Sequence, residues 1–132
     1  MVRILMVVLV ALIVVSCGQA PSSLNNATWE LVAVNGNVIE EPNMPILRFG
    51  EGNLEGKGFC NSYSAEYQVN GDALTIAPIV ATEMACEDVI FNILEREYLT
   101  TLNGATRYSV DGDTLQLFDA NGAVIVLFRK ST

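Results

Sequence analysis

Histidine is absent from the 132 residues, so a Ser-His-Asp or Cys-His relay in its usual form, and most zinc sites, are excluded by residue type. Cysteine stands at Cys17, Cys60 and Cys86. A redox role for Cys60 and Cys86 is favoured by the place of Cys86 near a predicted helix start. It is opposed by Glu83, Glu87 and Asp88, the wrong charge to activate a thiolate. Carboxylates come in neighbouring pairs: Glu40 with Glu41, Glu87 with Asp88, Glu95 with Glu97, and Asp111 with Asp113. Asp111-Gly112-Asp113 and Asp119-x-Asn121 look like pieces of a calcium loop, yet neither has the closing Glu, and turns favour Asp, Asn and Gly for backbone reasons alone. Gly50, Gly52, Gly56 and Gly58 precede neither Lys-Ser/Thr nor a helix, so they are not a phosphate loop. No metal, cofactor or catalytic residue is expected. The aromatic residues Trp29, Tyr63, Tyr67, Tyr108 and Phe128 either line a ligand cavity or form a core, and their strand alternation favours the core.

Residues 1–16 carry one charge, Arg3, and are otherwise apolar except for Ser16, the pattern of a secretory signal. The apolar run from Ile4 to Val15 is shorter than the roughly 20 residues a spanning helix needs. Val14-Val15-Ser16-Cys17 followed by Gly18 resembles the lipobox of bacterial lipoproteins. That resemblance implies cleavage before Cys17, a diacylglycerol thioether on its sulfur and usually an acylated amine. An ordinary secretory signal with a free Cys17 thiol is the alternative. If Cys17 carries lipid, Cys60 and Cys86 remain as a pair, and in an exported chain their default is a structural disulfide; a reduced buried pair or a redox pair stays open. Two acyl chains hold a protein at a membrane stably, since each buried methylene contributes about 0.8 kcal/mol.

Behind the leader, 17–27 is a polar tether and 28–130 one domain of about 105 residues, enough for a real core. Fifteen acidic residues face seven basic ones, a net charge of −8. Nucleic acid is excluded as a partner, because phosphate contacts need clustered Lys and Arg. The same charge keeps the domain itself off anionic lipid, so a membrane link rests on the Cys17 lipid.

From Thr28 onward short alternating runs are separated by turn dipeptides, the pattern of an antiparallel all-β domain. Trp29, Leu31 and Ala33 share one face before an Asn35-Gly36 hairpin turn. Ile46 to Phe49 follows the Pro42–Pro45 loop. The run Leu54 to Gly58 is glycine-rich, which predicts a bend or close backbone approach. Tyr63, Ala65, Tyr67 and Val69 alternate with polar residues, and Leu74 to Ala77 returns after Asn70-Gly71-Asp72. From about Met84 to Leu102 the period becomes helical, with Ile90, Leu94, Tyr98 and Leu102 on one face, Glu87 and Asp88 in the first turn and Asn103-Gly104 as a stop. Strands Thr106 to Val110, Thr114 to Phe118 and Ala123 to Arg129 close the chain. The last is apolar on both faces and should lie inside the sheet with cover on both sides. The expectation is a mainly β antiparallel meander of about seven or eight strands closed into a small barrel, with one amphipathic helix before the last three strands.

An ordered set of motifs then matters: Trp29-x-Leu31 with Asn35-Gly36, Leu47-x-Phe49, Gly58-Phe59-Cys60-Asn61-x-Tyr63, Tyr67, Leu74-x-Ile76, Thr82-Glu83-Met84-Ala85-Cys86, Glu97-Tyr98-Leu99-x-x-Leu102, Tyr108-x-Val110-x-Gly112-Asp113-x-Leu115-x-Leu117, and Phe128. From Trp29 to Phe128 the chain resembles the META domain family, which includes the bacterial heat-shock protein HslJ. Phe59 is a departure, since the family more often has Gly-Cys-Asn directly. The resemblance implies a lipocalin-like barrel with one helix, an envelope location in many members and an association with stress and antibiotic tolerance, but no enzymatic mechanism. The expected function is that of a non-enzymatic, lipid-anchored envelope protein with a binding or structural role in stress tolerance. It would sit on the periplasmic face of an outer membrane where the host has one, otherwise on the outer face of the cell membrane. The alternatives are a carrier or sensor of a small apolar ligand, with Trp29, Tyr63, Tyr67 and Tyr108 lining its site, and an inhibitor or assembly partner that binds protein.

Overall fold

A strand that alternates apolar and polar residues buries one face, and eight such strands can close a ring whose inward side chains fill it. The computed structural model describes residues 23–131 together with residue 11; the rest of the expected leader, and Cys17, lie outside the described residues. The elements are β1 (Trp29–Val34), β2 (Asn37–Val38), β3 (Ile46–Phe49), β4 (Asn53–Lys57), β5 (Ser62–Asn70), β6 (Ala73–Ile76), β7 (Val80–Ala81), α1 (Val89–Asn103), β8 (Arg107–Asp111), β9 (Thr114–Phe118) and β10 (Val124–Lys130). Eight of the strands form an antiparallel ring in the order β1, β3, β4, β5, β6, β8, β9, β10, closed by β10 pairing with β1. The expected barrel and its single helix before the last three strands are therefore present. The two-residue strands β2 and β7 stand off the ring, beside β1 and β5.

The clearest alternation in the sequence gives the most regular strand. In β5 the inward Tyr63, Ala65, Tyr67 and Val69 are buried while their neighbours are exposed. Trp29, Leu31, Leu47, Leu54, Tyr98, Leu102, Leu115, Leu117, Val126 and Phe128 fill the interior and are almost wholly removed from water. Each contributes about 1.5–3 kcal/mol of apolar burial. Leu24, which composition places in the tether, is also fully buried, and its carbonyl accepts from Trp29 Nε1 at 3.3 Å.

The register defines two ends. At one, β1 begins and β10 finishes beside the turns at 50–52, 71–72 and 112–113; Tyr108 donates to Gly71 O at 3.0 Å and Lys130 N to Asp113 O at 2.8 Å. At the other lie the Asn35-Gly36 turn, the Gly58–Asn61 loop, the β6–β7 link and α1. Around the ring the pairing is uneven: β6 and β8 share one ladder pair, Ala73 with Arg107, flanked by Leu74 N to Thr106 O at 2.9 Å and Tyr108 N to Asp72 O at 3.0 Å.

Three details depart from the sequence reading. The helix begins at Val89, not Met84, because Asp88 is its N-cap, accepting from Ile90 N at 3.1 Å, and Thr82 and Met84 are tied to Asn61 outside any helix. Glu87 and Asp88 thus precede the first turn. Its buried residues are Glu95, Tyr98 and Leu102, with Ile90 46% exposed, so the inward face is rotated from the apolar stripe. Finally, β10 is paired on both edges, but Ile125 and Leu127 on its outer face are only half-buried.

The close approach expected in the glycine-rich strand occurs at Gly56, where a Cβ would meet Ile46 O and the Tyr63 phenol. Gly56→Ala should cost about 2 kcal/mol or more by urea denaturation, whereas Ser64→Ala on the outer face should change stability by less than about 0.5 kcal/mol.

Candidate functional site

Two polar side chains are buried among the described residues, Asn61 and Glu95, and they are bonded to each other. Asn61 ends the loop entering β5. Glu95 lies on the second turn of α1 and faces inward because Tyr98 and Leu102, three and seven positions on, point the same way. Asn61 Nδ2 donates to Glu95 Oε2 at 2.6 Å, while the backbone N–H groups of Asn61 and Cys60 donate to Oε1 at 2.9 and 3.2 Å. The Asn61 carboxamide also grips the segment before the helix: Oδ1 accepts from Met84 N at 2.8 Å and Thr82 Oγ1 at 2.9 Å, and Nδ2 donates to Met84 O at 3.2 Å. Both donors and both acceptor positions of the amide are engaged. Gly58 completes the fit, since a Cβ there would strike the Glu95 carboxylate.

Cys60 and Cys86 flank this junction and are joined as a disulfide with a Cα–Cα separation of 5.6 Å, inside the normal range. It closes a loop running from β5 through β7, and loop entropy sets its contribution at about 3 kcal/mol. Cys60, Cys86 and Glu95 bring donor atoms within 4.8 Å of one another. With both sulfurs in the disulfide and the carboxylate spent on N–H donors, the trio acts as a clasp in this state.

A second contact ties the helix to the barrel. Tyr63 donates to Ile46 O at 2.8 Å, and its oxygen lies 2.5 Å from that of Tyr98. As a backbone carbonyl only accepts, the Tyr63 proton is committed to Ile46, and Tyr98 is the donor between the phenols. Burial pushes both phenols above the usual tyrosine range; Tyr98 is raised further by the neighbouring Tyr63. Asn35 at the β1–β2 turn donates to Thr101 Oγ1 at 3.2 Å. Asn103 donates to Ile76 O and Ala77 O at 3.2 and 3.1 Å and accepts from Ile79 N at 3.0 Å.

The aromatic residues expected as ligand-lining fall in different places. Trp29 is fully buried beneath Lys130, whose Nζ is 5.7 Å from the ring centroid. Tyr67 packs edge-on to Phe49 at 5.2 Å and its hydroxyl donates to Gly50 O. Tyr63 meets Tyr98, with ring centroids 5.7 Å apart, and Tyr98 in turn meets Phe128 at 6.3 Å. Tyr108 is half-buried on β8. Tyr63 also borders a groove of about 700 Å³ on the barrel wall, shared with Arg48, Lys57 and Val80. Sequence reasoning missed the bond between Asn61 and Glu95. The available signal was Glu95 three residues before Tyr98, on the same helical face.

A closed antiparallel barrel clasped to one inserted helix by a disulfide and a buried amide–carboxylate pair defines the class. The META domain family profile matches residues 22–132, and the chain belongs to that family. No curated protein matches the sequence significantly. Among solved structures it is similar to a protein from Burkholderia xenovorans determined by NMR, with 24% identity and a TM-score of 0.66 over 84% of this chain and 86% of that one. A crystal structure of a DUF4847 family protein from Bacteroides vulgatus is similar at 16% identity and a TM-score of 0.59, covering 82% of this chain and 94% of the other. At these identities the likeness concerns the fold.

Glu95→Ala should destabilise by about 3 kcal/mol or more in urea, by stranding three N–H donors. Glu95→Gln should cost less, because one oxygen survives for the two backbone N–H groups. The raised phenols mean that the folded state holds protons the unfolded state releases above the ordinary value of 10.0. Stability is thus full below that pH and falls as pH rises beyond it. Tyr63→Phe should reduce this alkaline loss above about pH 10 while costing about 1 kcal/mol at neutral pH, both measured by urea denaturation.

Proposed function

We propose that this META domain protein is a lipid-anchored envelope protein, without enzymatic activity of its own, that works by binding at the membrane surface in envelope stress tolerance. The observation that carries the reading is the Val14-Val15-Ser16-Cys17-Gly18 sequence behind an apolar leader, followed almost at once by a folded domain. The disulfide supports it, because such bonds persist in oxidising compartments. Leu24 packs at the barrel end where β1 begins. Five residues, 18–22, separate Cys17 from the described chain, so that residue 23 lies at most about 22 Å from Cys17, which would hold that end near the bilayer. Gly18 rather than Asp favours outer-membrane retention in a two-membrane host. The carrier reading draws less support: Trp29 is fully buried, Tyr63 and Tyr67 pack against Tyr98 and Phe49, and the polar atoms of all four rings bond to the main chain.

Metabolic labelling with palmitate, followed by cell fractionation, tests the anchor. The wild type should be labelled and membrane-bound, and Cys17→Ser should lose both properties. An unlabelled wild type, or a variant that stays in the membrane, would count against the anchor. Substrate turnover abolished by one carboxylate substitution would remove the non-enzymatic part.

A further inference from the structure

Seven large apolar side chains stand exposed among the described residues, and five of them fall between Val80 and Ile93: Val80, Met84, Val89, Ile90 and Ile93. Val89 and Ile93 are four apart on the helix, with Ile90 beside them, so they form one face on the first turns of α1. Val80 and Met84 border grooves that also hold Lys57, whereas the sequence neighbours of the helix-start residues Val89 and Ile90 are acidic. Glu83, Glu87 and Asp88 are exposed, and no Lys or Arg occurs between Lys57 and Arg96. Arg96, one turn beyond Ile93 and exposed, is the first cation after Lys57.

We propose that this face docks a cationic amphipathic segment of a partner protein, apolar side on Val89, Ile90 and Ile93, and Lys or Arg side chains toward Glu83 and Glu87. The inference names the partner class for the binding role proposed above and rests on it. Two other occupants fit poorly. A second copy would set the same carboxylates against each other, and anionic lipid is repelled by them. A membrane is further disfavoured because α1 is bonded to the barrel end opposite to Leu24 and the start of β1, the end that the proposed anchor would hold nearest the bilayer. The clasp of Asn61, Glu95 and the disulfide keeps the helix start fixed, so little ordering cost attends docking.

The test uses the full-length lipidated protein in nanodiscs of zwitterionic phosphatidylcholine, titrated with a fluorescent synthetic helix of about five turns with Leu on one face and Lys on the other. The expected result is saturable binding, weakened at least about tenfold by Ile93→Asp or Val89→Asp. Binding should be less salt-sensitive in Glu83→Gln/Glu87→Gln and absent for the same peptide with Glu in place of Lys. Circular dichroism and thermal midpoints should match the wild type, since the substituted side chains are exposed. Binding that ignores these substitutions, or no binding at all, overturns the proposal. So does a dimer in sedimentation that Ile93→Asp dissolves, or capture by anionic phosphatidylglycerol vesicles through this face. Palmitate labelling is scored separately, so a failed anchor and a failed docking face give different results.

Discussion

The bond between Asn61 and Glu95 is the constraint on which the helix, the disulfide loop and the barrel entrance all depend. Burying a carboxylate is tolerated only where donors replace its water, and three N–H groups do so here. The donors come from residues adjacent in sequence, 60 and 61, and the acceptor from a helix 34 positions away. The arrangement therefore forms only when loop and helix are both in place. Asn61 then passes the constraint on to Thr82 and Met84, which keeps that segment out of the helix until Asp88 can cap it. The disulfide locks the same two segments covalently. Covalent and non-covalent ties thus act on one spot, and the neighbouring helix face inherits its rigidity.

Elsewhere the barrel solves the problem of large rings with polar ends in a common way. Trp29, Tyr63, Tyr67 and Tyr108 each send a donor to a main-chain carbonyl at the rim or wall, to Leu24, Ile46, Gly50 and Gly71 respectively. Their apolar bodies pack toward the core while no hydroxyl or indole N–H is left unbonded. The glycines at 56 and 58 are part of the same solution, making room for the Tyr63 phenol and the Glu95 carboxylate.

Much of this architecture was legible in the residues. Period-two alternation marked β5, and Asn35-Gly36 marked a turn with both residues at positive φ, 49° and 79°. Both signals are local, which is why they survive in sequence. The helix start was misplaced because what overrides the local helical pattern at 84–88 is a side chain from residue 61, invisible to any window around the helix. Glu95 was hidden for a related reason: an apolar stripe is the usual mark of an inward face, and here a carboxylate occupies that position. The short strand β7 escaped notice because two residues, Val80 and Ala81, carry no period; it exists only because β5 offers Tyr63 and Ser64 as partners.

Closure of the ring by β10 on β1 has a consequence for how the molecule comes into being. Trp29 pairs with Lys130, and Val34 with Val126, so the first strand meets its second neighbour only when nearly the whole chain is available. Most elements can form beside their sequence neighbours, but this seam joins positions about a hundred residues apart, the kind of contact that slows folding. A chain delivered from its N-terminus would carry an open sheet with two raw edges until β10 arrives. Deleting Val124–Lys130 would therefore remove the piece that turns a curved sheet into a barrel.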